Sequence, residues 1–374
     1  MLKELWKNCK NILCIRPDNM GDLLMTVPAI RALKESTGAK ITVLTSSMAA
    51  VVAGMIPEID EVMIYDVPWV KNTGSQSSEY FMEIIDKIRV AAFDAAVIFT
   101  VYSQNPLPAV MLAYLARIPL RLAYCRENPY ALLTDWVPDV EPFSEIKHQV
   151  RRDLDLVARI GAIPSDERLS VRVGEQNWHL LKNRLLTLNF DAEKPWLIFH
   201  PGVSEEKREY PIEKWIGAGR VLAKDFQIAV TGGRSEKQLT EAIAEGIGES
   251  AYSLAGIFSL EEFVLLIKKA PLVISVNTGT VHLAAATGTP VIVLYALTNP
   301  QHFPWKSLGK VLLFNVRKGM RSQNEVIRWV NEHYFPTDLP EVSSGDIVTA
   351  AYDVFHNQAK LIPELPVEVT VSGK

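Results

Sequence analysis

The feature that most restricts this chain is the run Ile274-Ser-Val-Asn-Thr-Gly-Thr-Val-His-Leu-Ala-Ala-Ala-Thr-Gly-Thr-Pro290. An apolar strand pattern over 272–275 stops at Asn277, Thr278 and Gly279, and a helix of small residues begins at once, with His282 in its first turn. A strand, a polar glycine-containing turn and an alanine-rich helix aim free backbone N–H groups and the positive end of a helix dipole at an anion. Ala284, Ala285 and Ala286 let that helix lie close to a sheet, and Pro290 leads into a further strand over 291–295. A phosphate-containing ligand at the carboxyl end of a parallel sheet is the expectation.

The rest of the chain extends that pattern. Strands are expected over 11–15, 40–45, 61–65, 95–99 and 122–124, with helices over 23–35 and 49–55. A helix over 148–160 ends at Gly161, with Pro164 beyond it, and the polar stretch 164–172 reads as an interdomain connection. A second series follows, with strands over 196–199, 227–231, 252–254, 272–275, 291–295 and 311–314. Helices over 211–222, 235–244 and 260–269 separate them, and Ser343 and Ser344 cap a last helix over 347–356. Alternation of this length gives parallel sheets with right-handed crossovers, hence doubly wound halves. The expected boundaries are 1–165 for a first Rossmann-like domain, 166–345 for a second, and 346–374 for a terminal helix and tail.

At 374 residues the chain is long enough for two cores. Its formal charge of −4 argues against a nucleic-acid binder. Cys9, Cys14 and Cys125 lack metal-ligand spacing and cannot form a full disulfide framework, so they read as inert thiols of a reducing compartment. Charges interrupt every apolar run at the N-terminus, so no secretory signal is expected. The apolar stretch 106–120 contains Arg117 and is too short to span a bilayer. The expected setting is the cytoplasm, with peripheral contact at the cytoplasmic face of the inner membrane left open.

Three ordered blocks then carry a resemblance. The first is Ile12-Leu-Cys-Ile-Arg-Pro-Asp-Asn-Met-Gly-Asp22 through Leu33, with 57–62. The second is Phe199-His-Pro-Gly-Val203 through Lys207 to Trp215, with Thr231-Gly-Gly-Arg-Ser-Glu236. The third is Leu254-Ala-Gly256, Ser259-Leu260 and the opening run. Together they resemble glycosyltransferase family 9, the heptosyltransferases of lipopolysaccharide assembly. The resemblance implies the GT-B fold, two doubly wound α/β domains facing across a cleft. The first domain would hold a lipopolysaccharide-core or related glycan or lipid-linked acceptor, and the second a nucleotide sugar. Neither a cofactor nor a metal is implied. Segments 69–77 and 314–340 match nothing in the family.

On the residues alone, Asp22 is as well explained as a helix cap as by chemistry. The resemblance makes it the general base that activates the acceptor hydroxyl. Asp18 and Asp22 flank one turn but do not compose a Mg²⁺ site. Lys207 matches the family's phosphate-binding lysine, yet it lies in the charge run 205–209, and Arg208 is an equal alternative. Thr278 and Gly279 would give a hydroxyl and a backbone N–H to the diphosphate. His282 would reach a phosphate or ribose oxygen, and Glu236 would hydrogen-bond the nucleoside. A packed histidine and an acidic group near a helix start are the plain alternatives. Arg126 would pair with an acidic acceptor, or make only a surface ion pair. One departure stands out: Asn277 occupies the place of an aspartate that contacts the donor sugar. An amide donates as well as accepts and carries no charge, so donors other than the family's ADP-heptose stay open. Two rivals remain, a nucleotide-sugar epimerase or hydrolase and a noncatalytic sugar-nucleotide binder in an envelope-assembly complex.

Overall fold

The structure, a computed structural model, describes residues 3–70, 77–335, 339 and 341–365. It divides after Val171 into two compact units. The end of the expected tail, 366–374, lies outside the described residues.

In the first unit the strands are β1 (Asn11–Arg16), β2 (Lys40–Thr45), β3 (Glu61–Ile64), β4 (Ala95–Ile98), β5 (Leu120–Cys125) and β6 (Asp135–Pro138). They form one sheet in the order β3-β2-β1-β4-β5-β6, with every pairing parallel. Leu13, Cys14 and Ile15 are wholly buried, as a central parallel strand covered on both faces requires. Helix Met20–Thr37 covers one face and packs on helix Gln149–Ala158. Helices Ser78–Val90 and Leu107–Leu115 add Ile84, Ile85, Ile88, Val110 and Leu112 to the apolar core shared with Leu13 and Ile15. Each such fully buried aliphatic side chain contributes roughly 1.5–3 kcal/mol.

The second unit repeats the design with β7 (Trp196–His200), β8 (Gln227–Val230), β9 (Ala251–Ser253), β10 (Val273–Val276), β11 (Val291–Ala296), β12 (Leu308–Phe314) and β13 (Lys360–Leu361). Its order is β13-β12-β11-β10-β7-β8-β9, in which only β13 is antiparallel. Leaving β13 aside and counting from β7, the order is the same as in the first unit. Both are Rossmann sheets with a topological switch point, between β1 and β4 and between β7 and β10. The core around Phe199, Trp215, Ile274, Leu294 and Ile347 includes a Phe199–Trp215 ring contact at 4.9 Å.

Every strand expected from the sequence is present, with shifted ends. Several elements were not expected: helices Ser78–Val90, Leu107–Leu115, Trp178–Thr187 and Glu325–Tyr334, and the short β6. The stretch read as a connection from 164 is held by the first unit. Arg31 donates to the carbonyls of Asp166 and Arg168 (2.6 and 2.8 Å) and to Ser170 Oγ (2.6 Å), while its Nε pairs with Glu58 at 2.7 Å. The C-terminal helix Ser344–Phe355 packs against helix Ile212–Leu222 and β12 within the second unit. The three cysteines are buried and free. Among the described residues no helix is long and apolar enough to cross a membrane.

Candidate active site

At the switch point of the first sheet, the chain leaves β1 and turns at Asn19 into helix Met20–Thr37, placing Asp22 in the first helical turn. Both carboxylate oxygens of Asp22 are held. Asn19 N–H donates to Oδ2 at 3.2 Å, and Arg16 Nη2 lies 3.2 Å from Oδ1. The side chain remains 13% exposed, enough for one edge to meet a ligand. The helix-capping reading is therefore correct as geometry, and it leaves the carboxylate at the strand ends where ligands bind in this topology.

Arg16 closes β1 and is wholly buried. Its Nε lies 3.3 Å from Asp18 Oδ2, so one guanidinium serves two carboxylates. Gln104 Nε2 donates to Asp18 Oδ1 at 2.5 Å. Behind them, Thr26 Oγ1 donates to Asp153 Oδ2 at 2.8 Å and lies 3.0 Å from the Asp22 carbonyl, and Gln149 Nε2 donates to Asp153 Oδ1 at 2.8 Å. Burial works against the Arg16 charge, but Asp18, Asp22 and Asp153 outweigh it and raise its pKa. Burial pushes Asp18 upward against the pull of Arg16, and pushes Asp153 up to about 6. Arg152, on the same helix as Asp153, spans Asp139 Oδ1 and Oδ2 (2.8 and 2.9 Å), touches Glu141 and donates to Thr100 O at 3.0 Å. This polar layer went unread in the sequence, although Arg16 carried a signal: a charge closing an apolar central strand must be paired.

Arg126 makes its contacts within the first unit, including Asp139 Oδ2 at 3.9 Å. Its Nη2 donates to the carbonyls of Tyr102 (2.9 Å) and Glu141 (2.7 Å), and its guanidinium lies 5.6 Å from the Phe143 ring centre. The side chain is nonetheless 42% exposed.

In the second unit the residues expected from the opening run converge. Thr278 caps helix Gly279–Thr287 in extended conformation without a side-chain bond to the helix. Its Oγ1 is buried and has no hydrogen-bond partner among the described residues. The first N–H groups of a helix lack intrahelical partners, so a hydroxyl and backbone donors gather at one point. Arg208 Nη1 donates to the Asn277 carbonyl at 3.2 Å, its Nη2 pairs with Glu205 at 2.9 Å, and its buried Nε has no hydrogen-bond partner among the described residues. Lys207 pairs with Glu205 at 3.3 Å and lines a separate cavity of about 240 Å³ with Tyr210, Lys214, Phe314 and Arg317. Of the two adjacent cations, the structure brings Arg208 to the Asn277–Gly279 turn.

Asn277 is buried, with Oδ1 accepting from Ala296 N–H (3.1 Å) and Nδ2 donating to Thr298 Oγ1 (3.2 Å). The amide thereby staples the end of β10 to the end of β11. His282 is buried one turn along the helix. Glu236 Oε2 accepts from Gly233 N–H at 2.6 Å. A Cβ on Gly202 would lie 2.0 Å from Glu236 Oε1, and one on Gly232 would lie 2.8 Å from Oε2. The two glycines make the room that this carboxylate occupies over the ends of β7 and β8. His200, closing β7, lies 3.0 Å from Thr231 Oγ1 through Nδ1. Burial draws its pKa from 6.5 down to about 4, so the ring is neutral near pH 7.

Chemically, the second unit gathers groups able to receive an anion, namely a guanidinium, a hydroxyl without a partner among the described residues and helix N–H groups. The first unit offers an oriented carboxylate whose side chain is 13% exposed. Among the described residues no group of three or more His, Cys, Asp or Glu side chains is arranged to hold a metal.

Comparison with known proteins gives a consistent result. The model of glycosyltransferase family 9 (heptosyltransferase) matches residues 82–326. Lipooligosaccharide heptosyltransferase 2 of Haemophilus influenzae is 24% identical over 309 residues, covering 79% of this chain and 85% of that protein. The crystal structure of a family 9 glycosyltransferase from Veillonella parvula superposes with a TM-score of 0.71 at 14% identity, over 93% of this chain and 97% of that one. The Escherichia coli ADP-heptose LPS heptosyltransferase II superposes with a TM-score of 0.70 at 19% identity, over 93% and 99%. The fold is GT-B, two doubly wound parallel-sheet units.

Proposed function

This chain belongs to glycosyltransferase family 9, and from that premise we propose that it is an inverting, metal-independent heptosyltransferase acting on a lipopolysaccharide-core acceptor with ADP-heptose as donor. The H. influenzae and E. coli relatives carry the heptosyl specificity in their names. The observation that carries the donor reading is the buried, unpartnered Thr278 hydroxyl at a helix N-terminus, with Arg208 at 3.2 Å from the preceding carbonyl. Such a set neutralises a pyrophosphate with the chain's own donors.

In the reaction, Asp22 accepts the proton of the acceptor hydroxyl as that oxygen bonds to the anomeric carbon of the heptose. The bond from that carbon to the β-phosphate oxygen breaks, and its electron pair leaves with ADP. Arg208, Thr278 Oγ1 and the N–H groups of Gly279 and its neighbours receive the developing negative charge. One base and no covalent intermediate give inversion in a single displacement. His282 supports the phosphate or ribose, Glu236 accepts from nucleoside hydroxyls, and Asn277 lies beside the donor sugar. Lys207 adds positive charge at longer range. The cytoplasmic face of the inner membrane is the place where such an acceptor is met.

The test is incubation with ADP-heptose and a heptose-deficient lipopolysaccharide, with EDTA present, followed by mass and NMR analysis of the product. The reading expects one added heptose, of inverted anomeric configuration, for each ADP released. ADP release without an acceptor would indicate a hydrolase, and ADP binding without turnover would indicate a noncatalytic binder.

A further inference from the structure

We infer that Arg16 is a positioning residue for the base: it holds Asp22 in its reactive orientation and keeps it ionised beside the second buried carboxylate, Asp18. The inference rests on the reading of Asp22 as general base. Its geometry is specific. Arg16 is wholly buried and reaches Asp22 Oδ1 through Nη2 (3.2 Å) and Asp18 Oδ2 through Nε (3.3 Å). Among the described residues, the charged groups that act on Arg16 are Asp18 beyond β1, Asp22 on the following helix, and Asp153 and Arg152 on helix Gln149–Ala158. Arg152 is committed to Asp139 and Glu141, and Asp153 accepts from Thr26 and Gln149. Arg16 is thus a cation shared by Asp18 and Asp22.

Two neighbouring carboxylates in low dielectric raise each other's pKa, and a cation shared between them opposes that rise. A base that is protonated at working pH takes no proton from an alcohol. Asp22 pushes the pKa of Asp18 up and Arg16 pulls it down, so the guanidinium offsets the repulsion between the two carboxylates. It also fixes one oxygen of Asp22, and the Asn19 N–H fixes the other.

The experiment measures the pH dependence of kcat/KM for heptose transfer in wild type, Arg16→Gln, Arg16→Lys, Asp18→Asn and the Arg16→Gln/Asp18→Asn pair. Loss of a counter-charge at this range moves a carboxylate by roughly 1–3 pH units. The acid limb of Arg16→Gln is expected to rise by that order, with KM for ADP-heptose unchanged. Arg16→Lys should keep the wild-type limb, and the second substitution in the pair should bring the limb back down. Asp18→Asn alone should lower the limb, a readout that stands even where Arg16→Gln does not fold. An acid limb that stays in place in Asp18→Asn and Arg16→Gln, with Asp22→Asn inactive, would overturn the role of Arg16 and leave the base intact. A folded Asp22→Asn enzyme that turns over normally would remove both.

Discussion

Gly202→Ala gives a sharp test, because the clash it creates falls on one side chain. A Cβ at position 202 would lie 2.0 Å from Glu236 Oε1 and 2.1 Å from its Cδ, with no backbone atom among the three nearest. The carboxylate must swing away and give up the Gly233 N–H bond at 2.6 Å. Losing that capping interaction costs about 0.3–1.5 kcal/mol. Replacing glycine by alanine returns about 0.4–1 kcal/mol by restricting the unfolded chain, and Gly202 has no positive φ to oppose it. The fold should hardly change in stability. Donor binding should change greatly, because Glu236 is assigned to nucleoside hydroxyls. A hydrogen bond to a charged group is worth about 1.5–3 kcal/mol, which is roughly a 10- to 150-fold rise in Kd. Calorimetric titration of ADP into wild type, Gly202→Ala, Glu236→Ala and the double variant makes the test. The two single variants should weaken binding alike, and the double variant no further, because both remove one interaction. Wild-type ADP affinity in Gly202→Ala, or additive losses in the double variant, would refute the assignment of Glu236.

Other outcomes follow from the same geometry. Arg208→Ala should weaken ADP binding by about tenfold or more, and Lys207→Ala by clearly less; fluorescence or calorimetric titration of ADP at fixed ionic strength reads the difference, and the reverse order would return the phosphate role to Lys207. Thr278→Val, of nearly equal volume, should lower ADP affinity without lowering Tm, since the buried hydroxyl it removes has no hydrogen-bond partner among the described residues. His200 carries a pH signature. Its folded pKa of about 4 lies below the ordinary 6.5, so the unfolded chain takes up the proton first and stability falls as pH drops from 6.5 towards 4. At about 1.4 kcal/mol per pH unit, that gap is worth about 3 kcal/mol at pH 4. Urea titrations of His200→Gln at pH 7 and pH 4 should show the stability difference shrinking by that order.

The sequence spoke most clearly where chemistry and periodicity coincided. The turn at Asn277–Gly279 was readable because an apolar strand, a polar turn and a small-residue helix leave few other folds. The central strands were readable because parallel strands buried on both faces are short apolar runs. Helix Leu107–Leu115 was not read, since its uniformly apolar residues show no helical stripe. Strand β6 went unread too: it is four residues long and ends in Pro138, an edge strand with weak signals. Helix Glu325–Tyr334 lies in the segment that matched nothing. Three-dimensional relations were the least visible. Nothing in the spacing of Arg16, Gln104, Gln149 and Asp153 announces that crossovers bring them beneath Asp22. The choice between Lys207 and Arg208 likewise depends on a short 3₁₀ turn, Glu206–Arg208, from which both cations pair with Glu205 while Arg208 also reaches the Asn277 carbonyl.

The most direct test of the whole account is turnover by Asp22→Asn, an isosteric change that keeps the Asn19 contact within reach. The account predicts a transfer rate lower by on the order of 10²–10⁴, with ADP-heptose affinity at the wild-type value and the protein folded at the assay temperature. A folded Asp22→Asn enzyme that transfers heptose at the wild-type rate would contradict it.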